Sequence, residues 1–343
     1  MGFNKVCLHA FGYELPPRVI TSAELELQLA PVYDRLKLPL GRLELMSGIR
    51  ERRFWEPGTK PSQAATLAGR RALANSAINP EQIDCLIFTS VSRDMLEPAS
   101  ASFVHNALGL REQCLTFDLS NACLGFLDGM LMLGNLIEQG MVDRGLIVAG
   151  ETAENLVDST VKALIADQTL TRKSIKNSFA SLTIGSGAIG LVMGRTDLAD
   201  TGHYLIDGAW RANTRHNNLC QGNNTGSDIL MATDSEELLI RGVETAKSTW
   251  DDFLARLDWP PETIDRYFCH QVGRAHAKLL INTLGLDKEK NLETVGYLGN
   301  VGSVSAPITM AMGIEQQLLK SGQRAALLGI GSGIACLMLG IEW

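Results

Sequence analysis

Apolar residues along this chain collect in strand-length runs that alternate with stretches of helical period. Cys85-Leu-Ile-Phe88, Cys114-Leu-Thr-Phe-Asp118, Arg144-Gly-Leu-Ile-Val-Ala-Gly150 and Tyr267-Phe-Cys269 read as strands. Residues 62–77 and 235–257 carry helical patterns, and 124–137 and 308–319 are apolar enough to be buried helices. Strands alternating with helices predict an α/β protein with mainly parallel sheets covered by helices. Ser181-Leu-Thr-Ile-Gly-Ser-Gly-Ala-Ile-Gly-Leu-Val-Met193 reads as a pair of strands closing a first half. Residues 194–201 form a boundary, and 203–234 read as a polar, irregular surface excursion before the pattern resumes.

The pattern repeats. Pro80-Glu-Gln-Ile-Asp-Cys-Leu-Ile-Phe-Thr-Ser-Val-Ser-Arg93 and Pro261-Glu-Thr-Ile-Asp-Arg-Tyr-Phe-Cys-His-Gln-Val-Gly-Arg274 share six of fourteen positions without a gap. Each follows a helical stretch and leads into another. Ile137-Glu-Gln139 precedes the strand from Arg144, and Ile314-Glu-Gln316 precedes the one from Arg324. Two matches in the same order indicate a duplication, with halves at 1–197 and 198–343. A length of 343 residues suits two such units.

Composition narrows the function classes. Hydrophobic content of 45% and charge of 20% are those of a globular protein, and a net charge of −7 without a basic block argues against nucleic acid or an anionic membrane as partner. No apolar run is long enough to span a membrane, and the N-terminus lacks the layout of a signal peptide. Seven cysteines, none in a Cys-x-x-Cys pair, argue against zinc and for reduced thiols in the cytoplasm.

One cysteine stands apart. Asp118-Leu-Ser-Asn-Ala-Cys123-Leu-Gly-Phe126 places Cys123 between a strand and an apolar helix. The unpaired N–H groups and dipole of a helix N-terminus favour a thiolate, so Cys123 is expected to be a nucleophile near neutral pH. His270 ends the second-copy strand, where chemistry gathers in parallel sheets, and can serve as a base or an imidazolium partner. His276, inside the next helix, is less well placed. Asn300, in Leu298-Gly-Asn-Val-Gly302, offers an uncharged donor to a developing oxyanion. Leu328-Gly-Ile-Gly-Ser-Gly333 follows a strand and has the form of an oxyanion loop, with Gly331 and Ser332 as its candidates. It lacks the lysine of a phosphate loop.

A cysteine, a histidine and an asparagine in this order, across two related halves, resemble the condensing enzymes of the thiolase superfamily, in the ketoacyl-synthase III-like branch. Thr89-Ser-Val-Ser-Arg-Asp94, Leu96-Glu-Pro98, Asn121-Ala-Cys123, Gly150-Glu-Thr-Ala153, His270-Gln-Val272 and Gly299-Asn300 are similar to the OleA-type acyl-CoA condensing family. The resemblance implies a five-layered αβαβα fold and a homodimer. It assigns Cys123, His270 and Asn300 to catalysis, with fatty acyl-CoA as substrate and no cofactor or metal. It further implies a non-decarboxylative Claisen condensation of two acyl-CoA molecules to a 2-alkyl-3-oxo acid, serving olefin-forming enzymes downstream. That reaction removes a proton alpha to a thioester carbonyl, so it needs a base. The resemblance makes Glu97 that base, reaching into the neighbouring subunit's apolar site, and leaves Glu151 as a buried, paired structural carboxylate. Gly299-Asn-Val-Gly302 and Gly331-Ser-Gly-Ile334 depart from the ordinary ketoacyl-synthase III pattern. Two other readings are a malonyl-ACP-dependent ketoacyl synthase and a catalytically silent acyl-binding scaffold.

Overall fold

A computed structural model describes residues 2–199, 202–225 and 228–343. The first half runs β1 (Val6–Glu14), β2 (Arg18–Thr21), α1 (Ser22–Gln28), α2 (Ala30–Leu36), α3 (Arg42–Ser47), β3 (Glu51–Phe54), α4 (Pro61–Ser76) and β4 (Cys85–Phe88). It continues with α5 (Ser100–Leu108), β5 (Leu115–Asp118), α6 (Gly125–Glu138), β6 (Arg144–Glu151), α7 (Glu154–Ala166), α8 (Lys176–Phe179) and β7 (Gly187–Arg195). The second half runs β8 (Tyr204–Ala212), β9 (Cys220–Thr225), β10 (Asp228–Thr233), α9 (Ser235–Leu257), β11 (Arg266–Cys269) and α10 (Arg274–Leu284). It ends with α11 (Val295–Leu298), α12 (Ser305–Glu315), β12 (Arg324–Gly331) and β13 (Ala335–Glu342).

Nine strands form one sheet in the order β11-β12-β13-β8-β1-β7-β6-β4-β5. Read outward from the β8–β1 seam, the two sides repeat. β1, β7, β6 and β4 on one side match β8, β13, β12 and β11 on the other. At the seam Cys7 pairs with Tyr204, and the Phe3 and Leu8 N–H groups donate across it to the Ile206 and His203 carbonyls. Helices α6 and α12 lie between the two sides, each touching strands of both halves; α4 and α5 cover one outer face, and α9 and α10 the other. The result is the expected five layers. The largest core cluster is the central one, where Phe126, Leu127 and Met130 of α6 meet Ile308 and Met310 of α12. Helix α4 lies tight on the first sheet because its buried face is Ala64, Ala65, Ala68, Gly69 and Ala72.

The repeat seen in sequence is a repeat in hydrogen bonding. The Asp84 N–H donates to the Arg144 carbonyl, and the Asp265 N–H donates to the Arg324 carbonyl, each at 2.8 Å. The Asp84 carboxylate accepts from the Arg144 N–H, and that of Asp265 from the Arg324 N–H. One position beyond each strand, Thr89 N–H donates to Val148 and His270 N–H to Leu328. His270 is therefore the second-half counterpart of Thr89.

Two sequence expectations are corrected. Residues 181–193 form no strand pair: Ser181–Thr183 is a 3-10 turn, and the single strand β7 finds its partners in β1 and β6. The glycines of this run had suggested a turn between two strands. The excursion is also shorter than expected, because β8 is a full member of the main sheet. Its polar residues hid that: Asp207 is buried and paired with Arg256. Beyond β8 the excursion is the β9–β10 hairpin, whose Gly226 and Ser227 lie outside the described residues. The division at 197/198 falls in the 3-10 turn Thr196–Leu198, and Asp200 and Thr201 of the boundary lie outside the described residues.

Candidate active site

The Cys123 turn is built by three local features. β5 ends at Asp118, whose carboxylate accepts from the Ser100 and Ala101 N–H groups and so caps α5. Ala122 then adopts a left-handed conformation, φ 47°, which reverses the chain. Gly125 opens α6 so close to β4 that a Cβ there would lie 2.3 Å from the Thr89 carbonyl oxygen. These constraints hold Cys123 two residues ahead of the helix.

His270 is buried and its N–H continues the sheet onto β12. Gln271 anchors the end of this strand. Its N–H donates to Ser305 Oγ, its Nε2 donates to the Leu292 carbonyl, and its Oε1 accepts from the Thr294 and Val295 N–H groups. One residue thus ties the His270 strand end to the segment that carries Asn300. Gly299, φ 73°, turns the chain into Asn300, whose backbone is clamped by Thr183 and Gly185. Asn300 Oδ1 accepts from the Gly302 N–H at 3.1 Å, leaving Nδ2 as the donor for a ligand.

Glu151 joins the Asn300 turn to the first half. It is buried and accepts from Val91 N–H, Ser92 N–H and Oγ, and Ser303 N–H and Oγ, the last at 2.5 Å. The expected pairing is therefore to dipoles rather than to a cation. The duplication explains the geometry. Glu151 ends β6 as Gly331 ends β12, and Ser303 precedes α12 as Cys123 precedes α6. Gly302, φ 59°, matches Ala122. Glu151 fills the space before Ser303, whereas Gly331 brings no side chain to the Cys123 turn. A Cβ at Gly331 would meet Leu124 Cγ at 3.1 Å and the Asn121 carbonyl oxygen at 3.5 Å. Ser332 lies in the following turn between β12 and β13.

The electrostatics correct one expectation. Burial, reinforced by the Glu151 charge, pushes the Cys123 thiol up to about 12, so the helix end does not make it a resting thiolate. Burial, with His276 nearby, pushes His270 down to about 3, and burial alone takes His276 to about 4. The resting site holds a thiol and neutral imidazoles. His270 Nδ1 is buried with no protein partner among the described residues. Among the described residues no cluster of three metal-ligating side chains occurs.

Glu97 is not in an apolar pocket of its own chain. It is exposed in the loop between β4 and α5, beside Met95 and Leu96, the latter 95% exposed. The loop is anchored at its base: Asp94 accepts from Ser62 N–H and Oγ, and its own N–H donates to Ser100 Oγ. Ser303 and Ser305 escaped the sequence reading, and Gln271, quoted there within His270-Gln-Val272, was given no role. The His-Gln pair and the serines before an apolar helix were the signals that could have marked them.

Family models for 3-oxoacyl-[acyl-carrier-protein] synthase III match residues 117–214, and for its C-terminal part residues 254–343. The chain is 39% identical to an acyl-CoA:acyl-CoA alkyltransferase of Shewanella oneidensis and 38% identical to one of Xanthomonas campestris, with both chains of each pair covered in full. A beta-ketoacyl-[acyl-carrier-protein] synthase III of Natranaerobius thermophilus is 26% identical over 97% of this chain and 98% of its own. A solved structure of Xanthomonas campestris OleA with a cysteine substituted superposes with a TM-score of 0.96 at 38% identity, covering 100% of this chain and 98% of that one. Another, with lauric acid and lauroyl-CoA bound, gives 0.95 and covers 99% and 100%. The fold is thiolase-like.

Proposed function

Because the chain belongs to the OleA-type acyl-CoA:acyl-CoA alkyltransferases, we propose that it joins two fatty acyl-CoA molecules in a non-decarboxylative Claisen condensation. The observation that carries the residue roles is the geometry around Cys123. A neutral thiol stands at a turn to which Gly331 brings no side chain, and Gln271 ties the end of the His270 strand to the segment that carries Asn300; both features support these roles.

In the first step Cys123 attacks the thioester carbonyl of one acyl-CoA. With the thiol held near 12, its proton leaves as the C–S bond forms, by way of neutral His270, and protonates the departing CoA sulfur. The carbonyl oxygen takes its negative charge next to the N–H groups of Cys123 and the Gly331–Ser332 turn. A second acyl-CoA then places its carbonyl at His270 and Asn300 Nδ2. Glu97 of a partner subunit removes the alpha proton, the enolate carbon attacks the Cys123 thioester, and the thiolate leaves and is reprotonated. Hydrolysis of the remaining CoA ester yields a 2-alkyl-3-oxo acid, the substrate class of olefin-forming enzymes downstream. No cofactor enters this scheme. The exposed Glu97 loop, with Met95 and Leu96, supports a homodimer in which that loop is covered. In sequence, Glu97 and Cys123 stand as far apart as the glutamate and cysteine substituted in the Xanthomonas structures. We place the enzyme in the cytoplasm.

The test is mass spectrometry of products from one saturated acyl-CoA supplied alone. Free CoA and a 2-alkyl-3-oxo acid, or the ketone left by its decarboxylation, are expected. Turnover only with malonyl-ACP would overturn the reading.

A further inference from the structure

Helix α10 starts four residues after His270 and buries Leu280, Ile281 and Leu284. His276 stands four and eight residues before the two leucines, so it lies on the same stripe of the helix. It also belongs to the first turn, whose opening bond runs from the Ala277 N–H to the Gly273 carbonyl at 3.0 Å. Helical side chains tilt toward the helix N-terminus. The His276 ring is therefore carried back toward the strand end that holds His270. In sequence His276 looked less well placed because it falls inside a helix; the direction of that helix returns it to the site.

Each ring carries one orphaned atom. Nδ1 of His270 and Nδ1 of His276 are both buried without a protein partner among the described residues, and in neither ring is Nε2 in that state. Buried polar atoms are costly to leave unbonded, so each Nδ1 calls for a partner. Burial lowers the His270 pKa and a charge on His276 lowers it further, which puts the two rings within electrostatic reach. Neither Nδ1 bonds the other directly.

We propose that His276 is a positioning residue for His270, with one buried water accepting from His270 Nδ1–H and donating to His276 Nδ1. The inference rests on the role given to His270 above. A buried water is held by at least two polar partners, and the two orphaned nitrogens supply them. A neutral imidazole has a single N–H, and the bond made at one nitrogen fixes where that proton sits. With the proton held on Nδ1, the lone pair stays on Nε2, free to take the Cys123 proton. Without His276 the proton can settle on Nε2, where the ring cannot accept from the thiol.

Two measurements on the full chain test this. Nitrogen NMR of isotope-labelled histidines, with the His270 signals identified by their loss in His270→Asn, should show the His270 proton on Nδ1. His276→Leu keeps the stripe apolar and should shift the proton toward Nε2. His276→Asn, whose short amide reaches the place of Nδ1, should hold it. Single-turnover acylation of Cys123 by a saturated acyl-CoA, read by intact mass, should slow at least about tenfold in His276→Leu and recover in His276→Asn, at an unchanged melting temperature. A wild-type proton on Nε2 overturns the proposal, as does a tautomer indifferent to His276→Leu, or an equal loss of acylation in both variants. A tautomer that shifts as expected in a chain that no acyl-CoA acylates upholds the pairing and overturns the reaction instead. Should His276→Leu fail to fold, His276→Gln replaces it, since its longer amide overshoots the place of Nδ1, and the same shift and slowing are expected.

Discussion

The nucleophile of this site is protected by being neutral. With its thiol near 12, Cys123 should react with iodoacetamide at pH 7.5 at least about tenfold more slowly than a free thiol, and its rate should still rise at pH 10. Peptide mass mapping across pH checks this; a plateau below pH 9 would contradict it. Two histidines, His270 buried and His276 half-buried, give a second pH dependence. In the unfolded chain they titrate near 6.5, whereas in the fold His270 and His276 are pushed to about 3 and 4. Their contribution to stability is full above 6.5 and lost as the pH falls toward those values, because the unfolded chain binds protons first. Each is expected to cost up to about 1.4 kcal/mol per pH unit over that window. Urea melts between pH 7 and 4 would show the slope, and His270→Asn should flatten it.

At the level of elements, turns and strand ends were legible, and contacts between halves were not. Cys123, His270 and Asn300 stood out because each sits where a strand or loop meets an apolar run, a pattern local in sequence. Glu151 looked like any buried carboxylate, since its donors Val91, Ser92 and Ser303 come from distant segments. β8 went unread because its central Asp207 is satisfied by Arg256, forty-nine residues away. Glu151→Gln exchanges an acceptor for an amide group facing donors, and should cost about 2 kcal/mol of stability. Losing the charge that raises the thiol should also speed Cys123 alkylation. Gly125→Ala drives a methyl into the Thr89 carbonyl and should destabilise by at least about 2 kcal/mol, by thermal or urea unfolding.

For the whole molecule, the partner-supplied base predicts complementation. Cys123→Ala and Glu97→Ala chains, each inactive in condensation alone, should regain activity when mixed and allowed to exchange subunits. One site of each mixed dimer then has an intact thiol facing an intact carboxylate. Glu97→Ala alone should still acquire an acyl group on Cys123. Activity that mixing fails to restore would place the base within one chain. The duplication adds a consequence of stoichiometry. The chain has two turns of one shape, at Cys123 and Ser303; Glu151 hydrogen-bonds to the second, whereas its counterpart at the first is Gly331, which has no side chain. One acyl group per chain is therefore the ceiling, and adding a thiol should not raise it. In a Cys123→Ala chain also carrying Ser303→Cys, intact-mass measurement after exposure to acyl-CoA should find none.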